Sequence, residues 1–77
     1  MKTLDKINVG DKVIIKKVNT NNDLKKILLS YGIIPNTILE CILCSMGKDA
    51  CAYNVNGGVI ALRKEDTRNI LVENYNG

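Results

Sequence analysis

Short apolar runs alternating with polar residues fill most of this chain, and only one segment follows a longer period. Between Lys12 and Val18, a period of two places Val13 and Ile15 on one face and Ile14, Lys16 and Val18 on the other. Thr37 to Cys44 reads as a second strand, Ala50 to Val55 as a third and Val59 to Arg63 as a fourth. Ile70-Leu71-Val72 closes the sheet. Asn56-Gly57 is the strongest hairpin signal in the chain, because a tight two-residue turn asks for positive φ at both positions.

The exception is Leu24, Ile27, Leu28 and Tyr31, spaced i, i+3, i+4 and i+7 as on one face of an α-helix. Asn22 or Asp23 is placed to cap its first turn. Lys25, Lys26 and Ser30 fall outside the stripe, and Leu29 lies about 100° from Leu28 around the axis. Gly32 supplies the left-handed residue that a helix end commonly uses, and Pro35 forbids continuation. Ile33 and Ile34 stand where a residue past the glycine folds back on the last turn.

Ahead of the first strand, Leu4 and Ile7 are spaced to bury on one side of a single turn, and Gly10-Asp11 opens the strand. Ser45 to Asp49 forms a loop, Lys64 to Thr67 a short helical turn, and residues 73–77 a frayed tail. The expected fold is mostly β: a small, partly open five-stranded barrel with one α-helix between the first and second strands. That helix plugs one end with Leu24, Ile27, Leu28 and Tyr31. Residues 1–77 make one domain with its core in 3–72.

Composition sharpens this picture. With no Trp and no Phe, the core must be aliphatic, and β-branched residues favour strands. No apolar run approaches the roughly 20 residues that span a bilayer, and the N-terminus lacks the apolar stretch of a secretory signal. The expectation is a cytoplasmic protein without membrane insertion. The net charge of +3 is uneven: residues 1–38 carry seven Lys against three Asp, residues 39–77 four basic against five acidic. Lys12, Lys16, Lys17, Lys25 and Lys26 make the first half basic, as a solvated face or as weak steering towards an acidic partner or the inner membrane leaflet.

Candidate chemistry is sparse. There is no His, no Walker-type lysine loop and no Gly-x-Gly-x-x-Gly. Asn56-Gly57-Gly58 is a turn rather than a phosphate cradle, and Glu65 and Asp66 sit beside Arg63 and Lys64 as a solvated turn. No catalytic constellation emerges, so the expectation is a protein that is not an enzyme and requires no cofactor. Cys41, Cys44 and Cys51 remain ambiguous. They serve either as small buried hydrophobes or as three thiolates for weak Fe(II) or Zn(II) binding with a fourth ligand from outside. On a regular strand Cys41 and Cys44 point to opposite faces, whereas Cys44 and Cys51 can meet across the loop.

The order of these segments resembles the ferrous iron transport protein A (FeoA) family. That family opens with spaced leucines before a glycine, here Leu4, Ile7 and Gly10. Its helix ends in Leu-Leu-x-Leu-Gly, followed by an apolar pair and Pro-Gly-Thr or Pro-Gly-Ser. Here the segment is Leu28-Leu29-Ser30-Tyr31-Gly32-Ile33-Ile34-Pro35-Asn36-Thr37. Ala61-Leu62-Arg63-Lys64-Glu65-Asp66 matches its later apolar-Leu-Arg segment. Asn36 replaces the usual glycine, a substitution that positive φ tolerates, and Met46 to Ala50 lacks the usual prolines.

The resemblance implies an SH3-like barrel acting as a cytoplasmic accessory to FeoB, a GTP-binding permease that imports Fe(II), peripheral at the inner face of the membrane. Related domains end metal-dependent repressors, but this chain has no room for a helix-turn-helix, so the stand-alone accessory is expected. Partner contact is assigned to Lys25, Lys26, Leu29 and the loop Met46, Gly47, Lys48 and Asp49, with weak self-association as a further expectation. The alternatives are a nucleic-acid-binding small barrel, which the modest charge and scattered tyrosines disfavour, and a transition-metal sensor built on Cys41, Cys44 and Cys51.

Overall fold

A computed structural model describes residues 1–76; Gly77, the end of the expected tail, lies outside the described residues. The strands are β1 (Lys2–Thr3), β2 (Lys12–Val18), β3 (Ile38–Cys44), β4 (Ala50–Val55), β5 (Gly58–Arg63) and β6 (Ile70–Asn74). The α-helices are α1 (Asn22–Ser30) between β2 and β3, and α2 (Lys64–Thr67) between β5 and β6. All pairings are antiparallel in the order β1-β6-β2-β3-β4-β5. The sheet thus has six strands rather than the expected five. The lead-in adds β1 beside β6, where Lys2 faces Val72 and Thr3 faces Leu71.

The two ends of the sheet, β1 and β5, are bridged by α2, which contacts both β5 and the 3-10 turn Leu4–Lys6. This curled, partly open barrel encloses Leu4, Ile7, Val13, Ile15, Leu39, Tyr53, Ile70 and Val72. Leu4 and Ile7 are buried together, as their spacing predicts. The tail differs from expectation: Glu73 and Asn74 pair with Ile14 and Val13, and the Tyr75 amide donates to the Lys12 carbonyl at 3.0 Å. The edge of β2 opposite β3 takes the last strand as far as Asn74.

Two β-bulges change which faces the strands present. Ile15 pairs with Val72 and Lys17 with Leu71, leaving Lys16 as an extra residue in β2. Lys16 and Lys17 both point outward, and Val18 returns to the core beside Val13 and Ile15. The expected grouping of Val18 with Ile14 and Lys16 is therefore corrected, since an inserted residue shifts the alternation by one. In β3, Cys41 pairs with Tyr53 and Leu43 with Ala52, leaving Ile42 extra.

Helix α1 is capped by Asn21, one residue before the expected caps: its side-chain oxygen accepts from the Leu24 amide at 2.8 Å. The helix ends in paired bonds from the Ile33 amide to the Leu28 carbonyl and from the Gly32 amide to the Leu29 carbonyl, both 2.9 Å. These are the two bonds of a Schellman end, with Gly32 at φ 82° and Ile33 buried with Leu28. A turn over Ile34-Pro35-Asn36-Thr37 follows, closed by the Thr37 amide on the Ile34 carbonyl at 3.1 Å, with Asn36 at φ 74°. The Asn36 amide donates to the Ile15 carbonyl at 2.7 Å, which fixes the turn against β2.

The expectation that four helical side chains plug the barrel holds only in part. Leu28 is 1% exposed and Leu24 packs partly against the core, but Ile27 and Tyr31 remain 53% and 55% exposed. The Schellman end anchors α1 at Leu28, so one edge of the stripe turns inward and the other faces solvent.

Gly32→Ala is expected to lower stability by about 1–2 kcal/mol, the cost of a left-handed conformation for an L side chain. The new Cβ would lie 2.6 Å from Asn56 Nδ2, a terminal amide that can swing aside, so backbone strain sets the cost. Thermal denaturation should show Tm lower by roughly 4–16 °C; an unchanged Tm would refute the assignment of strain.

Candidate functional site

The outward turn of β2 at its bulge, the last turns of α1 and the Pro35 turn converge on one groove. Lys16, Lys17, Val18, Lys25, Leu29, Ile33, Ile34 and Pro35 line a cavity of about 340 Å³. Its floor is aliphatic and its rim carries three lysines. Leu29 is 59% exposed, an apolar side chain held in water beside Lys25. Lys16 lies 3.4 Å from Glu73 in a half-exposed pair of little energetic weight. Among the described residues, Lys17 and Lys25 have no carboxylate within ion-pair distance.

The residues expected to contact a partner separate into two regions. Lys25 and Leu29 line the groove, and Lys26 is an exposed neighbour on the same helix. Met46, Gly47, Lys48 and Asp49 do not line it. They form the connection between β3 and β4, a 3-10 turn over Met46–Lys48 with Gly47 at φ 82° and Met46 99% exposed. Lys48 is tied back to the lead-in, its Nζ donating to the Ile7 carbonyl at 3.2 Å and to Asn8 Oδ1 at 2.8 Å. The sequence placed lysines at 16 and 17, but regular alternation would set them on opposite faces. Only the bulge brings both to the rim.

The thiols gather at the other end of β3. Because Ile42 is the extra residue, Cys44 returns to the side occupied by Cys41, and their sulfurs lie 3.6 Å apart. This corrects the expectation of opposite faces. Cys44 faces Cys51 across the β3–β4 ladder with Cα atoms 4.0 Å apart, and the two form a disulfide. Cys41 is a buried free thiol. Burial pushes its pKa up, the nearby Lys48 ammonium opposes that rise, and Asp11 adds to it. The reading of all three cysteines as reduced, buried hydrophobes thus gives way to one thiol against one disulfide.

Among the described residues, no helix is long and apolar enough to cross a membrane. A six-stranded SH3-like small barrel with an apolar, lysine-rimmed groove is the class these features define. The FeoA domain family's sequence profile matches residues 2–74, and the chain belongs to that family. It is 31% identical over 70 residues to a Campylobacter jejuni protein named as an Fe(2+) transport protein A, covering 91% of this chain and 95% of that one. The solution structure of FeoA from Chlorobium tepidum superposes with a TM-score of 0.88 at 19% identity, covering 94% of this chain and 69% of that chain. A manganese-dependent transcriptional repressor contains the same fold, with a TM-score of 0.87 at 13% identity over 96% of this chain and 41% of that one.

Proposed function

We propose that this chain is a non-enzymatic accessory of ferrous iron uptake. It docks through the groove around Leu29 onto the cytoplasmic side of a FeoB-type GTP-binding permease. The observation that carries this reading is the exposed Leu29 beside the unpaired cations of Lys17 and Lys25. An apolar anchor ringed by long basic side chains suits a partner segment with one aliphatic side chain flanked by carboxylates. Membership of the FeoA family and the likeness to an Fe(2+) transport protein A support ferrous iron uptake as the process. Docking would bias the assembly or the GTPase state of the permease, and no chemistry on this chain is required for that.

A nucleic-acid partner has less support. Tyr53 is buried in the core, which leaves Tyr31 and Tyr75 as the tyrosines that reach the surface, far apart in sequence. Base-stacking surfaces cluster their aromatics.

The test is a pull-down of the permease from detergent-solubilised membranes with tagged wild-type and Leu29→Glu chains. Wild type should retain the permease, and the variant, with a carboxylate in place of the anchor, should lose at least about tenfold of that retention, as loss of a hot-spot contact does. Equal retention by two chains with matching thermal melts would refute the groove as the contact.

A further inference from the structure

Groove docking leaves Cys41, Cys44 and Cys51 without a role. Their three sulfurs nevertheless lie within 4.8 Å of one another, on two paired strands. We propose that the reduced chain holds one thiophilic divalent ion of the zinc type on these three thiolates, and that the Cys44–Cys51 disulfide closes the site.

The spacing fits the ion. Tetrahedral zinc with Zn–S bonds of about 2.3 Å sets neighbouring sulfurs roughly 3.8 Å apart. Cys41 and Cys44 already stand 3.6 Å apart, so binding needs little more than reduction and a modest parting of Cys44 from Cys51. The backbone is arranged beforehand. The Cys41 amide donates to the Asp11 carbonyl at 3.1 Å and its carbonyl accepts from Gly10 at 2.8 Å, while Cys51 is paired with Leu62 on its other side. Cys41 and Cys51 are buried and Cys44 is half-buried, so the site is reached from the side of Cys44, and water or an outside ligand would supply the fourth position. Three thiolates around a divalent cation carry a net charge of −1. The Lys48 ammonium, fixed on Ile7 and Asn8, favours a negative charge at Cys41, and the Asp11 carboxylate opposes it.

The chemistry balances. A dithiol reductant gives two electrons and two protons to the Cys44–Cys51 bond and becomes a disulfide. One Zn(II) then displaces three thiol protons and forms three Zn–S bonds. In the reverse direction, a small-molecule disulfide takes two electrons from the Cys44 and Cys51 thiolates by exchange and leaves as two thiolates, which take up protons from water; the ion is released as Cys41 takes up a third. With the disulfide formed, Cys41 alone remains, and a single thiol is no chelate. The bulge at Ile42 is what makes the site, because without it Cys44 would face away from Cys41.

The experiment uses the purified chain alone, so it succeeds or fails independently of permease docking. The chain is reduced with a dithiol, freed of reductant under anaerobic conditions and titrated with Co(II), then Zn(II). One Co(II) per chain should bind with a thiolate-to-cobalt charge-transfer band, and one Zn(II) should displace it. All three thiols should then resist alkylation, and the oxidised chain should bind no metal. Cys41→Ser should weaken binding by at least about 100-fold, since losing a ligand costs more than the 10–100-fold of losing a second-shell partner. If Cys41→Ser melts without cooperativity, Cys44→Ser at the half-exposed position carries the same expectation. A fully reduced wild-type chain without the band, or a folded variant binding Zn(II) as tightly as wild type, overturns the proposal.

Discussion

Leu28→Asp should abolish the cooperative thermal melt of the domain. Leu28 is 1% exposed, and its carbonyl accepts from both Tyr31 and Ile33 at the helix end. Removing a buried leucine side chain costs about 2–5 kcal/mol. Burying a carboxyl without a partner adds about 2–7 kcal/mol even after it takes up a proton, and far more if it stays charged. A chain of 77 residues has roughly 4–11 kcal/mol of stability in total, so the sum reaches or exceeds it. Leu28→Ala should retain a melt at lower temperature. Leu29→Asp, one residue on and 59% exposed, should change stability by no more than about 0.5 kcal/mol. A cooperative Leu28→Asp melt at the wild-type temperature would mean that α1 is not anchored on the core by this side chain.

That contrast between adjacent leucines was legible in the sequence, because a period of 3.6 separates Leu28 from Leu29. So were the helix stop at Gly32, the positive φ at Asn36 and the Asn56-Gly57 hairpin, where φ is 52° and 84°. Each depends on a local steric preference that a residue type carries with it. The two bulges were not legible. Nothing in Lys16 or Ile42 demands one; they arise where barrel curvature makes one strand longer than its partner. Both bulges fall within the functional candidates. The first brings Lys16 and Lys17 together on the groove rim, and the second brings Cys44 back to Cys41. A one-residue phase shift thus decided the site's composition while leaving the element list nearly unchanged. The burial of the helical stripe was also only half legible, since periodicity names a face but not the angle at which that face meets the core. The extra strand β1 was missed because two residues carry too little alternation to announce a strand.

Alkali should destabilise the wild-type domain more steeply than its Tyr53→Phe variant. Tyr53 is buried in β4, between Cys41 on β3 and Ile60 on β5. Burial is the main cause that pushes its phenol from the ordinary 10 up to about 12, with Cys41 and Asp5 adding negative charge and a hydrogen bond with Thr67 opposing the rise. The unfolded chain then loses this proton near pH 10, whereas the folded chain keeps it to about pH 12. Between those values the unfolded state binds fewer protons, so stability falls as pH rises. The full stabilisation is present below pH 10, and on the order of 3 kcal/mol is lost once pH passes 12, with about half of that already lost at pH 11. Every other ionisable group is common to both proteins, so the difference between them isolates the phenol. Urea unfolding of wild type and Tyr53→Phe should therefore give a constant offset from pH 7 to 9 that moves by on the order of 1 kcal/mol in favour of the variant at pH 11. An offset that stays flat to pH 11 would show that the phenol ionises as readily in the folded chain as in the unfolded one, and that the core around Cys41 and Thr67 admits water.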